Sequence, residues 1–383
     1  MSDRYPRYRV SGDATTRSTQ YGRIAHAEIR RTRDGYEQAF AAKGVSWGDA
    51  VAFSLGFVPA IQKAFPELLR EMHGIAEGAG IPFADILTMN CRTEVLWRAA
   101  VAREHSLTGG PRGECSSFAL EPDRTALGRP LVGQNWDWLE VLADGVIVLE
   151  VERPDAPNFV TIVEAGLLAK TTMNQAGVTI GINTIVSSLD GGSEGVPFHV
   201  LVRAVADAEH VSDVVGILAS VRRASSGNYI VAAENGAVLN IETAPGDSRT
   251  VHPLIAGDGA VVHTNHFVRA PAGGHDLAPA QMSDSFVRYG RLERLIGRHR
   301  APLTLSDLQS ALADHVDAPS AICCHPDLRD APAARWATLA SVVMDPTARI
   351  LHFAEGSPCT RAWSACDYSV FLAPAGAAPA PSA

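Results

Sequence analysis

Residues 105–118 read HSLTGGPRGECSSF, and this stretch divides the chain into two textures. Residues 105–114 hold three glycines and a proline, the composition of a loop or linker. Before the loop, apolar residues recur at helical spacing over residues 23–43, 49–76 and 83–99. Pro82 stands at a helix start, after a break at Gly78–Gly80. After the loop, short apolar runs separated by turn residues predict strands at 117–120, 131–135, 146–151, 159–163, 169–174 and 178–183. Helices are predicted at 196–206 and 211–221, then strands at 229–233, 238–242 and 260–264. Helices at 283–297 and 305–313 and strands at 339–344 and 350–354 close the chain. Two strand series with helices between them imply an α+β fold in which helical layers cover sheets.

The chain has 383 residues, 46% hydrophobic and 20% charged, which excludes a disordered or fibrous protein. Its 33 basic and 42 acidic residues leave a net charge of −9. A nucleic-acid or anionic-membrane binder needs a basic surface instead. Six cysteines are too few for a disulfide scaffold of this length and suit a reducing compartment. No run of about 18 apolar residues predicts a membrane span, and the polar start MSDRYPRYRV lacks the apolar segment of a signal peptide. The expectation is a cytoplasmic protein. Arg4, Arg7, Arg9 and Arg17 read as a solvated basic start, and residues 373–383, rich in Ala and Pro, as a disordered tail. Cys323-Cys324-His325 fits no common zinc spacing, nor do His263 and His266, so no metal is expected.

Cys115 opens a strand directly after the loop. Cleavage of the Glu114–Cys115 peptide would make it a chain N-terminus. Its α-amino group would then have a reference pKa of about 7.7–8.0 and could take the thiol proton without a histidine. A buried, inert strand cysteine is the commoner fate of a free thiol. Asp137, in Gly133-Gln134-Asn135-Trp136-Asp137-Trp138, sits between aromatics and needs a partner if buried; it could orient an N-terminal ammonium. Asn265, in His263-Thr264-Asn265-His266, offers an NH₂ donor for an oxyanion, although strand-end Asn residues more often make turns. Arg335 could hold a carboxylate or stabilise developing negative charge, although most arginines are surface groups.

These residues lie within an ordered series of short motifs: Gly74-Ile75-Ala76-Glu77-Gly78-Ala79-Gly80, Asn90-Cys91-Arg92-Thr93-Glu94, Cys115-Ser116-Ser117 and Gly133-Gln134-Asn135-Trp136-Asp137. Glu164-Ala165-Gly166, Asn174-Gln175-Ala176-Gly177-Val178, Gly195-Val196-Pro197, His263-Thr264-Asn265-His266 and Arg335-Trp336-Ala337-Thr338-Leu339 continue it. With them the chain resembles the acyl-coenzyme A:isopenicillin N acyltransferases, peptidase family C45 of the N-terminal-nucleophile (Ntn) hydrolases. The resemblance covers roughly residues 60–355.

The resemblance implies a four-layer αββα sandwich of two antiparallel sheets covered by helices. It also implies self-cleavage into a helical part, 1–114, and a catalytic part, 115–383. It puts the nucleophile on Cys115, a carboxylate near the new amine on Asp137, the oxyanion amide on Asn265 and an assisting guanidinium on Arg335. Ser116, Asn135, Thr264, His266 and Glu94 are supporting candidates, Glu94 first of all as an ion-pair partner of Arg92 or another arginine. Where the fungal enzymes carry Gly before the nucleophile, this chain has Glu114; Ala244 and Ala334 stand where the penicillin-making enzyme has serines. The implied substrate is a small-molecule amide or acyl-thioester, with acyl-CoA as a possible co-substrate and no cofactor. Two alternatives remain: an uncleaved cysteine hydrolase with His263 or His266 as base, and a non-catalytic binding protein on the same fold.

Overall fold

The computed structural model describes residues 4–101 and 115–374. The linker at 105–114, Glu114 with it, and the tail from 375 onward lie outside the described residues. Twelve α-helices and fourteen strands are assigned among the described residues. In the N-terminal part these are β1 (Arg7–Ser11), α1 (Ala14–Ile24), α2 (His26–Ala42), α3 (Trp47–Leu55), α4 (Val58–Ala64), α5 (Pro66–Ala79), α6 (Phe83–Asn90) and α7 (Arg92–Val101). Then come β2 (Ser116–Leu120), β3 (Leu131–Leu139), β4 (Val146–Glu152), β5 (Phe159–Glu164), β6 (Thr171–Asn174), β7 (Val178–Asn183), α8 (Phe198–Val205), α9 (Val211–Ala219), β8 (Gly227–Ala233) and β9 (Val238–Thr243). The last are β10 (Val251–Ile255), β11 (Ala260–His263), α10 (Ala278–Gln281), α11 (Asp284–Leu292), α12 (Leu305–Leu312), β12 (Trp336–Asp345), β13 (Ile350–Ala354) and β14 (Ser364–Asp367).

The strands form two sheets. The larger has the order β1-β4-β5-β6-β7-β8-β9-β10 and the smaller β11-β2-β3-β12-β13-β14. Strands β2 and β3 meet β7 and β8 face to face. Helices α1, α2 and α5 lie on the larger sheet's outer side, and α11 and α12 on the smaller sheet's. The implied αββα order is therefore present, with one correction. The sheets are antiparallel except where β1 pairs in parallel with β4, Arg7 opposite Val148. That pairing also corrects the expected solvated start: the first residues close an edge of the larger sheet, with Tyr5 and Val10 buried.

Strand alternation explains the two cores. Ala119, Val132, Trp136 and Trp138 belong to the core between the sheets. Phe118, Leu120 and Leu131 point the other way, onto Leu292, Ile296, Leu308 and Leu312. The buried amides of β3 follow the same rule. Gln134 faces the larger sheet, donating to Ile182 O at 2.6 Å and accepting from Ile182 N at 3.0 Å. Asn135 faces the helices and donates to the Leu312 and Ile322 carbonyls at 2.8 and 2.7 Å.

The helical region predicted over 49–76 is three helices, interrupted at Gly56-Phe57 and before Pro66. Helix α5 crosses α1 at backbone contact. A Cβ on Gly22 would sit 2.2 Å from the Ile75 carbonyl oxygen, and one on Gly78 2.2 Å from that of Thr19. Strands β3 and β12 extend beyond their predicted ends because they pair along nearly their whole length, Trp336 opposite Leu139 and Met344 opposite Val132.

Candidate active site

Cys115 immediately precedes β2 at the junction between the sheets and is 5% exposed. The register sets Ser116 opposite Asn135. The thiol lies 4.0 Å from the Asp137 carbonyl oxygen. The Cys115 carbonyl accepts two hydrogen bonds, from Asn183 Nδ2 at 3.1 Å and from Arg288 Nη1 at 3.0 Å.

Arg288, on α11, is fully buried. Burial opposes its charge, but the carboxylates of Asp284 and Asp137 outweigh that and hold its pKa above the usual value. Its Nη1 also donates to Ser116 Oγ at 3.2 Å, and its Nη2 to Asn265 Oδ1 at 2.9 Å. Asp284 Oδ2 accepts from its Nε at 2.9 Å, one helical turn away. One planar guanidinium therefore connects the Cys115 backbone to the Asn265 side chain, as its fork of donors allows.

Asn265 is fully buried. Its Nδ2 donates to the Thr184 carbonyl at 2.8 Å and its backbone N–H to Ser285 Oγ at 2.7 Å. With Arg288 on the amide oxygen, the amide plane and its donor end are oriented. Asp137 is also fully buried. Thr338, opposite it on β12, donates its hydroxyl to Asp137 Oδ1 and accepts from Cys324 N at 2.9 Å.

A buried cationic group lies on the inter-sheet side. Lys170 Nζ is 3.6 Å from the centroid of the Trp136 ring and 3.2 Å from Glu164 Oε2. Burial pushes its pKa down to about 7, against the raising effect of Glu164. Burial pushes Glu164 up, but Lys170 and Arg92 outweigh that and hold it below its usual value. The Arg92 guanidinium stacks on Trp138, 3.8 Å from the ring centroid, with its Nε 3.6 Å from Glu164 Oε1.

Thr264 and His266 lie beside Asn265, gathered on Ser285. Thr264 Oγ1 and His266 Nδ1 each lie 2.8 Å from Ser285 Oγ. His266 also stacks on Phe286, and burial, with His263 and Arg288 adding to it, pulls its pKa down to about 4. His263 bonds Glu242 Oε1 at 2.9 Å through Nε2, and its Nδ1 lies 2.8 Å from the Thr264 carbonyl oxygen. The two histidines considered as bases for an uncleaved thiol are thus engaged with these groups.

Two expectations are revised. The guanidinium bonded to Cys115 and Asn265 is that of Arg288, whereas Arg335 donates to the Asp330 carbonyl at 3.1 Å near the surface. Glu94 is paired with Phe198 N at 2.7 Å and the Ser225 hydroxyl, and Arg92 with Glu164. Positions two apart on a helix point to different sides, so Arg92 and Glu94 reach different partners. Arg288, Asn183 and Lys170 were missed altogether. Lys170 did carry a signal, as a lone lysine in the apolar run Gly166-Leu167-Leu168-Ala169-Lys170.

Comparison with known proteins places the chain in a family of acyl transferases. The model of the acyl-coenzyme A:6-aminopenicillanic acid acyl-transferase family matches residues 124–360, more than half of the chain, and the chain belongs to that family. A relative is the 40 kDa form of acyl-coenzyme A:6-aminopenicillanic-acid-acyltransferase from Emericella nidulans. It is 26% identical over 283 residues, which cover 68% of this chain and 74% of that protein. Among solved structures, a mutant of conjugated bile acid hydrolase from Clostridium perfringens aligns with a TM-score of 0.46 at 11% identity, covering 66% of this chain and 92% of that one. Penicillin V acylase from Agrobacterium tumefaciens aligns with a TM-score of 0.35 at 12% identity, covering 67% and 87%.

Proposed function

We propose that this chain is a self-processing Ntn amidohydrolase or acyltransferase whose nucleophile is Cys115, freed by cleavage of the Glu114–Cys115 bond. The observation that carries the reading is the Arg288 bridge, which ties the Cys115 backbone to the amide of Asn265 in a buried site. Family membership supports acyl chemistry as the reaction class.

In the proposed reaction the α-amine of cleaved Cys115 takes the thiol proton, and the thiolate attacks the acyl carbonyl. An Asn265 amide N–H stabilises the developing oxyanion. Collapse expels an amine, protonated by the α-ammonium, or a thiol when the donor is an acyl-thioester, and leaves a thioester on Cys115. Water or an acceptor amine attacks this thioester, giving its proton to the α-amine and releasing the acyl product. Asp137 orients the α-ammonium. Arg288, rather than Arg335, is the assisting guanidinium, and it acts by holding the nucleophile and the oxyanion donor in register. The substrates in this reading are a linear small-molecule amide or an acyl-thioester such as acyl-CoA. The two products of cleavage, 1–114 and 115–383, stay associated, because β1 pairs with β4 and α1, α2 and α5 cover the larger sheet.

The test is the denatured mass of purified protein with N-terminal sequencing of its fragments, beside the Cys115→Ala variant. Two fragments, the larger beginning Cys-Ser-Ser-Phe, and an uncut, inactive Cys115→Ala chain are expected. A single species that hydrolyses amides or acyl-thioesters without cleavage would overturn the self-processing step. Turnover retained in Cys115→Ala would overturn the nucleophile.

A further inference from the structure

The loop after α12 and the segment after β13 bring together four side chains that the reaction above does not use. They are His315, Cys323, His325 and Cys359, whose ligand atoms all lie within 4.8 Å of one another. His315 Nε2 and His325 Nε2 are 3.1 Å apart. His325 Nε2 is 3.5 Å from Cys323 Sγ and 3.3 Å from Cys359 Sγ. The two sulfurs are 3.5 Å apart.

A tetrahedral ion with metal–sulfur bonds of about 2.3 Å and metal–nitrogen bonds of about 2.05 Å has characteristic ligand–ligand edges: about 3.3 Å for N–N, 3.6 Å for S–N and 3.8 Å for S–S. Four of the six edges, given above, fall within about 0.3 Å of these values, and the other two, from His315 Nε2 to the sulfurs, lie within 4.8 Å, so His315 would draw in on binding. Cys323 and His325 belong to the cluster, whereas Cys324, between them, does not. Cys324 turns into the core beside Asp137 and Arg288. The spacing His315-x7-Cys323-x-His325-x33-Cys359 matches no common short motif, so only the fold assembles the set.

We propose that His315, Cys323, His325 and Cys359 form a closed Cys2His2 site for a zinc-class divalent cation. Two neutral imidazoles and two thiolates would balance the ion's two positive charges, and binding releases the two thiol protons. All four positions are filled by protein, the pattern of a structural rather than a catalytic ion. His315 and Cys359 are exposed, which leaves a path for the ion to enter. The site would brace the Cys324 backbone, which donates to Thr338 Oγ1 at 2.9 Å and accepts from Thr338 N at 3.1 Å. Thr338 in turn donates to Asp137, so the ion would stiffen the outer support of the proposed active site while remaining outside the reaction.

The experiment titrates the full-length protein with Co²⁺, after stripping with a chelator and full reduction. One equivalent per chain is expected, with the visible bands of tetrahedral cobalt and a near-ultraviolet thiolate-to-cobalt band. Cys359→Ser should lose about half of the thiolate band, and His315→Ala should weaken binding roughly 100-fold. Cys366→Ser, which removes a thiol outside the set, should bind as the parent does. Added Zn²⁺ should raise the melting temperature of the parent and not that of the Cys359→Ser, His315→Ala double variant. No stoichiometric uptake by the reduced parent, or tetrahedral cobalt binding that survives in the double variant, would overturn the site. The readout is spectroscopic and independent of turnover, so it separates this inference from the proposed reaction.

Discussion

Arg288 donates from Nη1 to the Cys115 carbonyl at 3.0 Å and from Nη2 to Asn265 Oδ1 at 2.9 Å. The two recipients lie 150 positions apart in the chain. A lysine would keep the charge at this position and lose the fork. Arg288→Lys is therefore expected to lower turnover roughly 10²-fold with a smaller change in KM. Steady-state kinetics with an amide and with an acyl-thioester check this, and an equal rise in KM would place Arg288 in substrate binding instead.

Asn265→Ala removes the amide assigned to the oxyanion. Loss of one such donor costs about 2.7–4 kcal/mol of transition-state stabilisation, a fall of about 10²–10³ in kcat. Kinetics on matured protein check it. A fall below tenfold would assign the oxyanion to other donors.

Thr338 uses one hydroxyl twice, donating to Asp137 and accepting from Cys324 N. Thr338→Val keeps the shape and removes both bonds, so a stability loss of about 1–3 kcal/mol is expected. Thr338→Ser should recover most of it. Urea denaturation of the three proteins, read at equal slope, gives the comparison.

Lys170 sets a pH dependence. Burial pushes its folded pKa down to about 7, whereas the unfolded value is the ordinary 10.5. Between these values the unfolded chain holds a proton that the folded chain has released, so this group makes stability rise with pH. Below about pH 7 both states carry the proton and its contribution is flat. The parent minus Lys170→Met difference in unfolding free energy should therefore increase from pH 7 towards pH 10. Chemical denaturation across that range measures it, and a flat difference would mean that Lys170 keeps its proton in the folded state.

Much of the fold could be read locally. Short apolar runs separated by turn residues marked β7 and β13 at their observed bounds and most other strands within a few residues. The edge strands β1, β10 and β14 were not predicted. Each is a short run with exposed positions, and β10 carries Pro253, so their strand character comes from the neighbours they pair with. Helix was legible over 23–43, 49–76 and 83–99, whereas α1 (Ala14–Ile24) was not predicted; its place is set by packing, where Gly22 and Gly78 let α1 and α5 touch.

For the site, the sequence by itself determined the chemical types and their local settings. Cys115 stands at a strand start after a loop, Asp137 between tryptophans and Asn265 at a strand end. The tertiary structure decided which guanidinium bonds to Cys115 and Asn265. Arg288 lies 173 positions from Cys115 and reaches it only because α11 packs on the smaller sheet. The same folding leaves Arg335 with surface carbonyls at a strand entrance and gathers His315, Cys323, His325 and Cys359 into one cluster. Strand and helix periodicity is written within a few residues, where backbone sterics and side-chain burial act. A buried guanidinium or a four-ligand cluster depends on contacts between distant segments, which form only when the layers close on each other.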